Sequence, residues 1–174
     1  PWPKDPEQGK LFKNIYTEAM IQYTHDLMLG AEKFALDENQ PLIRIANVKQ
    51  FADSFIPHKI NQYEDAIFFP DLAPENQLTI EAYDMDSFRD SGIHWRYLQY
   101  VIEDPAYTGQ LELDPFASEL LVENVAQFGV LLLRTSGIVA RQESSERLHP
   151  DHIAKAFKLI QDRVNAHAMA SPET

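Results

Sequence analysis

The chain has 174 residues, with 15 basic against 27 acidic side chains and a formal charge of −12. Its 44% apolar and 24% charged content belongs to a globular fold rather than a disordered chain. The negative charge repels phosphate and excludes a general nucleic-acid binder, and no window of about 18 residues is free of charge, so no membrane span is expected.

Phe12, Ile15, Tyr16, Ala19, Tyr23, Leu27 and Ala31 recur at three- and four-residue steps. That spacing predicts one long helix between Pro6 and Leu36, with Glu18, His25, Asp26 and Glu32 mostly off its apolar stripe. Asp37–Pro41 ends it. Leu42–Ile45 reads as a short strand, or as the approach to a helix starting near Asn47, whose side chain suits a first-turn cap. Phe51, Phe55 and Ile56 form a brief apolar face before Pro57.

Gln62–Phe69 is aromatic-rich, Asp71–Asn76 reads as a loop, and Leu78, Ile80 and Ala82 alternate as a strand does. A minor pair of short strands is therefore expected from the middle of the chain. The next helix, opened by Asp86 or Ser87 or only after Ser91, carries Trp95, Leu98, Val101 and Ile102 and closes before Pro105. Asp114-Pro115 is a strong start signal, a capping carboxylate followed by proline at the first helical position. The helix it opens carries Leu120, Leu121, Val125, Phe128, Leu132 and Val139, with Glu119, Glu123 and Gln127 as a polar edge. Val130–Leu133 is apolar on nearly every side and marks the centre of the core. After a polar loop at Gln142–Glu146, His149-Pro150-Asp151 opens a last helix bearing Ile153, Phe157, Ile160 and Val164.

These signals predict a mainly α fold, a helical bundle of five or six helices with a minor short strand pair. No repeat or linker divides the chain, so a single domain over residues 1–174 is expected, with 1–5 and 168–174 as flexible ends. Cysteine is absent, which removes disulfides, thiolate catalysis, Cys-ligated zinc and Fe–S clusters. The start at Pro1-Trp2-Pro3 reflects either trimming or a removed leader. With the missing cysteine it favours an exported or periplasmic protein over a cytoplasmic one.

Four groups of residues have chemistry worth weighing. Glu146, His149 and His152 offer a carboxylate and two imidazoles to a divalent metal without any thiolate, although Pro150 puts them across a loop-to-helix junction. Glu81, Asp84, Asp86 and Asp90 begin like a calcium loop, but Phe88, Arg89 and Trp95 stand where oxygen ligands and a glycine belong. His94, Arg96, Tyr97 and Tyr100 combine aromatics, an arginine and an imidazole, the composition of a ligand or partner surface. With Trp95 and Leu98 turned to the core, Tyr97 should point outward as an interface anchor. A di-iron site could take carboxylates from Glu18 and Glu123 but fails on its count, because Glu146/His149 is the one Glu-x-x-His. Phosphate loops, nucleophile elbows and H-E-x-x-H are absent.

The helix from Ala117, the loop Gln142–Leu148 and the helix from Pro150 resemble the middle helix, second loop and third helix of a histone-type handshake. That likeness covers under a third of the chain and rests on helix lengths; a DNA-binding histone is basic, and no family follows from it. The expected function is an acidic helical binding or assembly protein without catalysis. Its aromatic middle, around Phe68, Phe69 and His94–Tyr100, would meet a protein partner or a second copy. No cofactor is predicted. The alternative is a metal- or small-ligand-binding protein, or an enzyme, using His and carboxylate side chains.

Overall fold

The periodic stripe of the first thirty residues folds as α1, Pro6–Asp37. Phe12, Ala19, Tyr23, Leu27 and Ala31 are buried, joined by Met20 and Met28. Thr24 is buried too, because its hydroxyl donates to the Met20 carbonyl at 2.7 Å and needs no water. Asn39 takes a left-handed φ of 55°, and the Asn39 and Gln40 amides bond back to Leu36 and Ala35. These two bonds satisfy carbonyls that a helix end leaves open.

The computed structural model describes residues 3–55 and 92–170. The aromatic run with Phe68 and Phe69, the strand expected at 78–82 and the acidic run Glu81, Asp84, Asp86 and Asp90 lie outside them. Among the described residues the fold is mainly α, with five helices and a two-stranded sheet. After α1 come β1 (Leu42–Ile43), α2 (Ile45–Phe55), α3 (Ile93–Glu103), β2 (Glu112–Leu113), α4 (Pro115–Gln142) and α5 (Pro150–Ala170). The described chain forms two compact units: residues 3–19 with 129–170, and residues 20–55 with 92–128. Helices α1 and α4 each contribute to both.

In the second unit β1 pairs with β2 in parallel, Leu42 opposite Glu112 and Ile43 opposite Leu113. The expected strand is present, but its partner lies beyond α3, where two residues carry no alternation to read. The ladder continues as the Asp114 amide donates to the Ile43 carbonyl at 2.9 Å. Asp114 then caps α4, its carboxylate accepting the Phe116 amide at 2.9 Å. At the head of α2, Asn47 reaches back to the Arg44 amide at 2.9 Å, the reverse half of a capping box. Gly30 makes room for α2. A β-carbon there would fall inside the Phe51 ring.

Tyr23 of α1 stacks on Phe128 of α4, ring centres 4.0 Å apart and planes 2° from parallel. Such a pair adds about 0.5–1.5 kcal/mol beyond its buried area. In the first unit, Val130, Leu131, Leu132 and Leu133 are all buried, as their all-round apolarity requires. Thr135 and Ser136 are tolerated beside them because their hydroxyls bond the Leu131 and Leu132 carbonyls. Helix α4 is also long and apolar enough to cross a membrane, which a search for charge-free windows overlooks. Within this fold 61% of that apolar window is buried, the pattern of a core helix.

Two substitutions test the packing. Leu132→Ala, at a fully buried site, is expected to cost about 2–5 kcal/mol in chemical denaturation. Gly30→Ala is expected to cost about 1–3 kcal/mol by overpacking. Gly9→Ala, where nothing lies within 4 Å of the new methyl, should instead gain about 0.5–1 kcal/mol.

Candidate functional site: an acidic groove between α3 and α4

Helix α3 starts from Gly92, which holds a left-handed φ of 70° open to it at little cost. From there His94, Tyr97, Leu98 and Val101 form the buried stripe, the i, i+3, i+4, i+7 pattern. This corrects the expected orientation of the aromatic group. Tyr97 is 2% exposed and His94 1%, with their rings edge to face at 5.8 Å, so neither presents a surface. Trp95 is 44% exposed, Tyr100 59%, and Arg96 also faces out. At about 100° per residue, Trp95 and Tyr100 fall on opposite flanks of the stripe and Arg96 on its back. The expected quartet His94, Arg96, Tyr97 and Tyr100 is therefore split. Four buried positions at helical spacing outweigh one indole in setting the phase of the helix.

On the Trp95 flank, α3 and α4 enclose a groove of about 370 Å³. His94 and Trp95 line it from α3, and Glu119, Val122, Glu123 and Ala126 from α4. Val122 and Ala126 give it an apolar floor, while Glu119 is exposed and Glu123 half-buried above them. Glu123 also interacts within the protein. Phe116, one turn before Glu119, is 68% exposed. In the sequence Glu119 and Glu123 read as the polar edge of a helix, and Glu123 also as a carboxylate for the di-iron site that fails its count. Phe116, Glu119 and Glu123 at i, i+3 and i+7 form one face, and an aromatic on a polar face was the available signal.

The expected metal group is rearranged. Glu146 and His149 are exposed, and His152 is buried. The His149 and His152 rings lie 5.3 Å apart. The imidazole of His152 has other work at both nitrogens. Its Nδ1 accepts the His149 amide at 2.9 Å, which caps α5 in the same reversed manner as Asn47 caps α2. That acceptor role places the proton on Nε2, which donates to Glu143 Oε2 at 2.8 Å. Glu143, Asp151 and His152 do converge, their ligand atoms lying within 4.8 Å of one another. A cation already sits among them: the Lys155 ammonium bonds Glu143 and lies 3.4 Å from Asp151. His152 has no lone pair to offer a metal unless the α5 cap breaks, so these residues do not fit a divalent ion. Sequence spacing favours Glu146 as the His152 partner. The closing bonds at the end of α4, with Ser144 left-handed at φ 57°, bring Glu143 round instead.

A buried carboxylate anchors the groove's surroundings. Glu32, expected off the apolar stripe, is buried and accepts the Gln110 and Leu111 amides at 2.6 and 2.5 Å. Beside it, burial and the Glu32 charge both push the Tyr107 hydroxyl above its ordinary range. Gly109 leaves the space that this hydroxyl fills. No protein-family model, curated protein or solved structure matches the chain.

The Lys155 hydrogen bond, helped by His152, holds the Glu143 carboxyl below its usual range. A lowered folded-state value contributes stability that is present above the ordinary carboxylate value and lost as pH falls through the folded one. Glu143→Gln should therefore lower stability at neutral pH, and the gap to the parent should shrink in denaturation curves as pH falls below the ordinary carboxylate range. Tyr97→Ala is expected to cost about 3–5 kcal/mol and Arg96→Ala under about 1 kcal/mol, the contrast between an emptied aromatic site and a surface change.

Proposed function

We propose that this is a non-catalytic binding or assembly protein whose α3–α4 groove docks a basic segment of a partner protein. The observation that carries the reading is an exposed indole beside two carboxylates over an apolar floor, in a chain of charge −12. Exposed aromatics are the residues that anchor interfaces, and Trp95 and Phe116 flank the carboxylate face. Glu119 and Glu123, four residues apart on α4, repel each other, and a cation between them relieves that repulsion. The net charge steers positively charged partners towards the protein and opposes association of like copies. Charge complementarity thus favours a basic partner over a second copy. The metal reading gains no support from the corner at Glu143, where lysine holds the cation's place.

Selection of random peptides on the immobilised protein tests this. Bound sequences are expected to be rich in Lys and Arg, and Glu119→Lys should remove most of the binding without unfolding the protein, because the residue is exposed. Peptides lacking basic residues, binding indifferent to Glu119→Lys, or self-association through the same face would each overturn the reading.

A further inference from the structure

From the lining of the groove we infer that its preferred occupant is an arginine side chain, so that it reads Arg over Lys in a docked segment. This rests on the docking reading above and specifies its chemistry. A groove of about 370 Å³ has room for one long side chain. Trp95, with Val122 at its foot, offers apolar surface to a methylene stem, which long cationic residues bury while the charged head stays among polar groups. The head then meets Trp95 and the two glutamates.

Each of these favours guanidinium over ammonium. A planar guanidinium stacks on an indole face, as a compact, strongly hydrated ammonium does not. Its five donors form a fixed fork that serves two carboxylates at once, whereas lysine acts as a point charge. Glu119 and Glu123, one helical turn apart, suit a forked donor placed between them. Glu123 also interacts within the protein, so the selectivity is tested at the exposed Glu119.

The chain has two tryptophans, so Trp2→Phe makes Trp95 the sole indole reporter. The full chain bearing this change is titrated with short glycine-rich peptides that hold one central Arg, Lys or citrulline. Calorimetry runs in parallel as a readout independent of the indole. The Arg peptide is expected to shift Trp95 emission saturably and to bind on the order of fivefold more tightly than the Lys peptide. Citrulline, which keeps the shape and loses the charge, should bind at least about tenfold more weakly than Arg. Glu119→Gln should reduce the Arg preference, and Trp95→Ala should abolish it in calorimetry; both sites are exposed, and circular dichroism checks that each variant is folded. Equal binding of Arg and Lys, both lost in Glu119→Lys, would overturn the selectivity and leave the docking reading standing. Citrulline binding as well as Arg, or Arg binding without any response at Trp95, would overturn the inference and remove the groove as the docking site.

Discussion

A buried carboxylate with two backbone partners fixes the passage from α3 to α4. An ionised side chain leaves water only where hydrogen bonds replace its hydration. Glu32 meets that condition through the amides of Gln110 and Leu111, two residues that no regular element would otherwise hold. The position of these amides sets the next residues, Glu112 and Leu113, against Leu42 and Ile43. Asp114 then closes the ladder and caps α4 in one step, its amide on Ile43 and its carboxylate on Phe116. From that cap the phase of α4 follows, and with it the face carrying Phe116, Glu119 and Glu123.

Several polar residues among those described are spent on helix ends. Asn47, Asp114 and His152 each satisfy an amide at the head of a helix, and Asn39 and Ser144 turn the chain at the ends of α1 and α4. His152 shows the consequence for chemistry: an imidazole that accepts from a cap and donates to Glu143 is committed at both nitrogens. The α3–α4 groove differs because Glu119 and Glu123 stand in the second and third turns of α4, past the first four amides that a cap serves. Acidic groups beyond the capping turn, beside an exposed indole, are what give that face its capacity for a cationic guest.

Much of the helical framework is legible in the residues. The 3.6-residue stripe of α1, the Asp114-Pro115 start and the all-round apolarity of Val130–Leu133 are local signals, and the structure follows them. The site is far less legible, for two physical reasons. Helix phase depends on which of several apolar residues wins the core, and around Trp95 the His94, Tyr97, Leu98, Val101 stripe outweighs the larger ring. Partners distant along the chain leave no spacing to read: Glu32 binds amides 78 and 79 residues away. The pairing of His152 with Glu143 rather than Glu146 likewise depends on a left-handed turn at Ser144, a position held by a residue that does not advertise it.

The central claim is that Trp95 stands at the surface in a negative field set by Glu119 and Glu123. Collisional quenching of the Trp2→Phe protein reads that field directly, with caesium and iodide as quenchers of opposite charge at equal ionic strength. Caesium is expected to quench Trp95 more efficiently than iodide once each is referred to free indole, and the difference should collapse in the Glu119→Gln, Glu123→Gln protein. Iodide quenching equal to or stronger than caesium, or an indole inaccessible to both, would contradict the account.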